Sequence, residues 1–179
     1  MHERFPNADL FGIDISRVAV ARCREELPAS IRVRVQQIEE VEGFYDYIYC
    51  SNVLEHFSDY RNKAVHLKRH CGTLCIMVPL QEYERGRPLY PSLQRHHQAT
   101  FDLHTFDFLV ERGLAKEINA YTFSCPPAWG WRRRRKVLEA IKNPLRLALK
   151  GYWLREPRQV LYVIDGKDRG EEHPGYRAL

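Results

Sequence analysis

The stretch from Phe44 to His56, FYDYIYCSNVLEH, constrains the fold more than any other part of the chain. Tyr47-Ile48-Tyr49-Cys50 is a short apolar run closed by the turn-formers Ser51 and Asn52, and a helical start follows. Runs of this length, bounded in this way, suit a strand buried in a parallel sheet. Polar residues directly after such a strand lie at the carboxyl edge of the sheet, where open α/β folds bind ligands. Asn52, Glu55 and His56 are therefore the first candidates for chemistry.

A chain of 179 residues, 44% apolar and 12% aromatic, is long enough to bury a core as one domain, and its composition is that of a globular protein. No run approaches the roughly 20 apolar residues of a spanning helix. The first fifteen residues include Glu3 and Asp9 and lack a signal peptide's apolar stretch, so a cytoplasmic location is expected. Five cysteines form no Cys-x-x-Cys pair. Cys71 and Cys75 flank a turn entering a strand, and without a second cluster they read as reduced, mainly buried thiols.

In chain order, residues 10–14 read as a short strand ending in an acid. Ser16 is a good N-cap for a helix over 16–27, which Pro28 stops. Ile31, Val33 and Val35 alternate with arginines, as in a half-exposed strand. A helix over about 59–70 turns Ala64, Val65 and Leu67 inward and ends at Gly72; residues 73–78 are the next buried strand, closed by Pro79. Residues 80–103 lack a period, and a loop of that length is usually a lid or binding segment. A helix over 105–113, a strand over 116–123 and a last strand over 159–165 complete the order.

Strands alternating with helices call for an α/β fold, a mostly parallel sheet with helices on both faces. The long excursion before the last strand makes an antiparallel end to that sheet the expectation. The whole reads as one domain, 1–179, with a basic helical insertion at about 126–157.

These pieces resemble a class I S-adenosylmethionine-dependent methyltransferase of the small-molecule type, from the second strand of that fold onward. The matching segments are LFGIDIS at 10–16, YDYIYCSNVLEH at 45–56, LKRHCGTLCIMVP at 67–79 and the run 97–101, together spanning about 5–123. The resemblance implies S-adenosyl-L-methionine as cofactor and a small-molecule or lipid- or glycan-linked methyl acceptor. An acid ending the second strand can accept both hydroxyls of a ribose. Asp14 fits that place, with Ile15 packing on the adenine; the alternative for Asp14 is a helix N-terminal acid favoured by the dipole. Gln37, with Ile38 beside it, stands where the family places an acid on the adenine amino group. Cys50, Ser51 and Asn52 line the methionine end by analogy.

The departure from the pattern is large. The family begins with a strand and a Gly-x-Gly-x-Gly turn, where the backbone approaches the cofactor because glycine has no Cβ. This sequence contains no Gly-x-Gly, and its first glycine is Gly12. The missing strand would lie between the one ending at Asp14 and the one ending at Cys50. The expectation is thus a Rossmann-like domain, N-terminally truncated, with two strand edges unpaired.

Some relatives hold a divalent metal with a Glu-x-x-Glu-His run and a distant histidine. Here Asn52 replaces the first acid, and loss of a hard oxygen ligand weakens a magnesium site. The expectation is therefore no metal, with His56 as a general base for a hydroxyl acceptor or as a structural hydrogen-bonding group. His96 and His97 lie in the presumed lid as candidates for substrate contact, against the alternative of a solvated pair.

Between Trp131 and Arg158 ten Lys/Arg face two Glu, a local +8, so the remainder carries about −3 of the net +5. Leu138, Ile141, Leu145, Leu149 and Tyr152 recur at spacings of three and four, interrupted at Asn143-Pro144. A solvated basic face over a core stripe is the plainest reading. Contact with an anionic membrane surface or a phosphorylated acceptor comes next. Nucleic-acid binding ranks last, because basic charge alone is blind to sequence. The reading of another class is a non-catalytic remnant of the fold that binds a partner through this segment.

Overall fold

The computed structural model describes residues 8–84, 87–88, 96–124, 142, 144, 148–149 and 158–166. Its contacts divide it into two compact units, residues 1–43 and residues 44–179.

In the first unit β1 (Phe11–Asp14) pairs in parallel with β2 (Arg32–Val35), from Phe11 opposite Arg32 to Asp14 opposite Val35. Helix α1 (Arg17–Glu26) makes the crossover. Ser16 caps it as expected: its hydroxyl accepts from the Ala19 N–H at 3.2 Å, filling one of the donors a helix start leaves open. Val20 is the buried residue of α1. The Arg24 guanidinium holds the end of the helix to β2 by donating twice to the Val33 carbonyl, at 3.1 and 2.8 Å.

The second unit is built on a four-stranded sheet in the order β3-β4-β8-β7, formed by β3 (Tyr45–Ser51), β4 (Cys71–Pro79), β8 (Arg158–Asp165) and β7 (Glu117–Ser124). β3 and β4 are parallel, joined through a 3-10 turn at Leu54–His56 and helix α2 (Tyr60–Arg69). β8 runs antiparallel to both neighbours, as the long excursion suggests. The short strands β5 (Tyr83–Glu84) and β6 (Arg87–Pro88) pair with each other, and α3 (Phe108–Glu111) precedes β7.

Alternation places the core. Leu74, Ile76 and Val78 of β4 are fully buried and lie directly opposite Ile164, Tyr162 and Val160 of β8, also fully buried. Cys50 of β3 continues this face opposite Ile76. With strand side chains pointing alternately to two faces, six buried partners in register make one continuous apolar surface. Phe101, Phe106 and Leu109 pack over it, with the Phe106 ring 4.8 Å from that of Tyr162.

Several expectations change in detail. β3 is an edge strand with Tyr47 73% and Tyr49 52% exposed, so it does not read as buried on both faces. Helix α2 ends at Arg69, and Gly72 belongs to β4 instead of marking the stop. A Cβ at Gly72 would stand 3.1 Å from the Asp46 carbonyl oxygen, so this glycine serves the close approach of two strands. The predicted helix over 105–113 shortens to α3, although Gly113 closes it at φ 65° as expected. The sheet is mixed, with one parallel and two antiparallel pairings around β4 and β8. The basic segment 126–157 lies outside the described residues except for four exposed helical positions, Lys142, Pro144, Ala148 and Leu149. Among the described residues no helix is long and apolar enough to cross a membrane.

Candidate functional site

Each parallel pair presents polar residues beyond its carboxyl ends. In the first unit Asp14 ends β1, exposed, and its Oδ1 accepts from the Ser16 N–H at 2.7 Å. Oδ2 has no hydrogen-bond partner among the described residues. Ile15 beside it is 70% exposed, an apolar surface next to a carboxylate. Gln37 is exposed at the start of a 3-10 turn, Ile38–Glu40, and its N–H donates to the Glu40 carboxylate at 3.0 Å; Ile38 is half-buried. A cleft of about 330 Å³ lined by Arg24, Leu27, Pro28 and Arg32 sits at the amino end of β2, the end away from Asp14, and does not coincide with these residues.

In the second unit Asn52 follows β3 directly and holds φ at 51°, a left-handed conformation uncommon outside glycine. Three bonds fix it. Its N–H donates to the Met77 carbonyl at 2.8 Å, its Nδ2 to the Ser51 hydroxyl at 3.1 Å, and its Oδ1 accepts from Gln159 Nε2 at 3.2 Å. Cys50 is buried behind it, and burial pushes its thiol up to about 12, with Glu55 adding in the same direction. That thiol is an inert wall and not a nucleophile. Gln81, past the end of β4, is a second left-handed residue, at φ 44°.

Glu55, His56 and His97 meet in one cluster, with one ligand-capable atom from each within 4.8 Å of the others. Glu55 is 1% exposed, and its Oε2 has no hydrogen-bond partner among the described residues. Burial drives its carboxyl above the ordinary carboxylate range; its backbone N–H, His56 and His97 pull it back, and Glu82 adds to the rise. The Glu55 carbonyl accepts from Gln98 N–H at 2.7 Å and Ala99 N–H at 3.2 Å, which brings residues 96–99 over the turn. His97 Nδ1 lies 2.6 Å from Glu82 Oε2, both side chains 7% exposed, and the His56 and His97 rings meet edge to face at 4.9 Å. His56 Nδ1 is 3.5 Å from the His96 carbonyl, while the His96 side chain stays exposed.

Of the residues singled out from sequence, Cys50, Ser51, Asn52, Glu55, His56 and His97 thus belong to one unit, as Asp14, Ile15, Gln37 and Ile38 belong to the other. Glu82 is the addition. Its only sequence signal is an acid three residues beyond Pro79, in a segment without periodicity.

Comparison with known proteins bears on both units. A family model described as a methyltransferase domain matches residues 1–73. Trans-aconitate 2-methyltransferase of Deinococcus radiodurans is 28% identical over 80 residues, 43% of this chain and 31% of that protein. The plantazolicin methyltransferase BpumL, solved with a triazolic desmethylPZN analog and SAH, aligns over 93% of this chain and 70% of its own, with a TM-score of 0.56 at 15% identity. This is the class I S-adenosylmethionine-dependent methyltransferase fold. The class I methyltransferase fold also hosts other chemistry: the [4+2]-cyclase SpnF aligns with a TM-score of 0.57 over 91% of this chain and 68% of its own, at 13% identity. The matched stretch is about a third of the length of the Deinococcus enzyme.

Proposed function

We propose that this chain grips S-adenosyl-L-methionine for methyl transfer to a small-molecule or lipid- or glycan-linked acceptor. Asp14 accepts from the ribose hydroxyls, Ile15 packs on the adenine, and Gln37 with Ile38 borders the adenine amino group. Cys50, Ser51 and Asn52 wall the methionine end. The acceptor atom attacks the sulfonium methyl in line, its bond to carbon forming as the carbon–sulfur bond breaks, and S-adenosylhomocysteine leaves. Positioning supplies most of the rate in such a reaction. The acceptor's proton goes to His56, whose Nδ1 faces a carbonyl and whose Nε2 is then the basic nitrogen. The exposed His96 is the nearer candidate for substrate contact, since His97 is turned to Glu82.

Asn52 carries this reading. A left-handed non-glycine residue held by three hydrogen bonds at the carboxyl end of a parallel strand is backbone strain where ligands bind. Among the described residues β1 and β3 each have one strand neighbour, β2 and β4, and the sequence holds no Gly-x-Gly. Without the glycine turn that approaches the cofactor, weak cofactor binding is the expectation for this chain. Isothermal titration with S-adenosyl-L-methionine tests the proposal: saturable heat supports it.

The absence of a Gly-x-Gly turn favours one second reading, a non-catalytic remnant of the fold whose basic segment binds a partner, an anionic membrane surface or nucleic acid. It predicts a silent titration, with binding to anionic vesicles retained.

A further inference from the structure

We propose that β7 is a docking edge for a second copy of this chain, the two copies pairing antiparallel through β7 about a two-fold axis at Tyr121. Among the described residues β7 has one strand neighbour, β8, and so ends the four-stranded sheet. An edge strand presents a row of backbone N–H and carbonyl groups without ladder partners, a template for another strand. Sheets usually blunt such an edge with lysine, proline, a bulge or a very short strand. β7 has none of these. It runs eight residues in unbroken register with β8, and from Ile118 to Ser124 it carries neither charge nor proline. Ile118, Tyr121, Thr122 and Phe123 are residue types that suit a strand.

Both faces of the sheet stand open at this edge. Ala120 and Thr122 lie opposite the buried Tyr162 and Val160 of β8 yet are themselves exposed, so the core face runs out at β7. On the other face Tyr121 is 56% and Phe123 40% exposed. Because strand side chains alternate, a strand added here covers apolar surface on both faces while it completes the backbone ladder.

The charge pattern selects the occupant. The uncharged run Ile118–Ser124 is centred on Tyr121, so a copy turned about that residue lays the run against itself from end to end. Tyr121 then faces the partner's Tyr121, and Asn119 faces the partner's Phe123. Aromatic pairs directly across two strands are among the favourable ones. Glu117 opposite Asp165 makes one end of the edge acidic, even with Lys116 just outside the strand, and Arg158 opposite Ser124 makes the other end basic. Antiparallel pairing brings the acidic end of each copy to the basic end of the other. Parallel pairing would instead set Glu117 beside the partner's Glu117. A two-fold contact of this kind is self-complementary and closes at two copies.

Sedimentation equilibrium of the full chain under reducing conditions, over a concentration series, is the test. A species of twice the 21.2 kDa chain mass is expected. Tyr121→Lys sets two lysines against each other at the axis and should weaken the dimer about tenfold, and Tyr121→Glu should do the same. Mixing the two variants should restore the doubled mass, a recovery that a misfolded chain cannot give. Thr122→Lys, at an exposed position on the opposite face, keeps the test decisive if the Tyr121 variants do not fold. A parent that stays monomeric throughout the series overturns the proposal. So does a dimer that Tyr121→Lys and Thr122→Lys leave intact and Tyr47→Lys abolishes, because the contact then lies on the exposed tyrosines of β3. A mixture of folded variants that remains monomeric overturns the pairing about Tyr121.

Discussion

The Gln159 side-chain amide, at the start of β8, donates to Oδ1 of Asn52, the residue directly after β3, 3.2 Å away. This bond reaches past β4, which lies between the two strands, and it holds a residue in a conformation that most side chains avoid. Asn52→Gly should leave stability within about 1 kcal/mol of the parent, because glycine takes φ 51° freely while losing the amide's bonds. Asn52→Val should cost about 1–3 kcal/mol. Urea denaturation of the two variants reads the difference, and equal losses would mean that φ at this position carries no strain.

Gly72 tests the close approach of β3 and β4. An added Cβ meets the Asp46 carbonyl oxygen at 3.1 Å, which is backbone and cannot swing aside. Gly72→Ala should destabilise the second unit by about 1–3 kcal/mol, the usual range for overpacking. A neutral Gly72→Ala in thermal melts would show that the strands can part at no cost.

Tyr162 is fully buried, and its hydroxyl donates to the Asp102 carbonyl. Burial pushes its phenol upward, so the proton stays on. Tyr162→Phe keeps the ring packed on Phe106 and orphans the carbonyl, at an expected cost of about 1–3 kcal/mol. Denaturant midpoints should fall without a change in slope.

Alkaline pH should weaken the fold. Burial raises the Cys50 thiol from the ordinary 9.0 to about 12 and the Cys71 thiol to about 11. An acid whose folded value is raised contributes stability that is fully present below its unfolded value and is lost as pH climbs. The loss therefore begins near pH 9 and continues through pH 11 to 12. Lys68 acts in the opposite direction: burial lowers its folded value, so its share of stability rises with pH up to the ordinary 10.5. Melting temperatures measured from pH 7 to 10.5 should decline on balance, and should decline less in Cys50→Ala.

Local signals made much of this fold legible. Ser16 and Pro28 bracket α1, the apolar run of β4 is closed by Pro79, and the alternation of β8 survives in its buried register with β4. Burial of β3 was not legible, because Tyr47 and Tyr49 look apolar in a one-dimensional pattern yet lie on an open face. The stop at Gly72 was misplaced since glycine also serves close strand contact. Asn52, Glu55, His56 and His97 stood out by residue type. Glu82 did not, because its meaning comes from a fold that carries it to His97 from fifteen residues away.

Cofactor grip at Asp14 is the central claim, and titration of S-adenosyl-L-methionine into the parent chain and Asp14→Ala measures it most directly. The account predicts weak but saturable heat for the parent and loss of at least about tenfold in affinity for the variant, since a charged hydrogen bond of about 1.5–3 kcal/mol is removed. A silent parent, or a variant that binds as well as the parent, would contradict it.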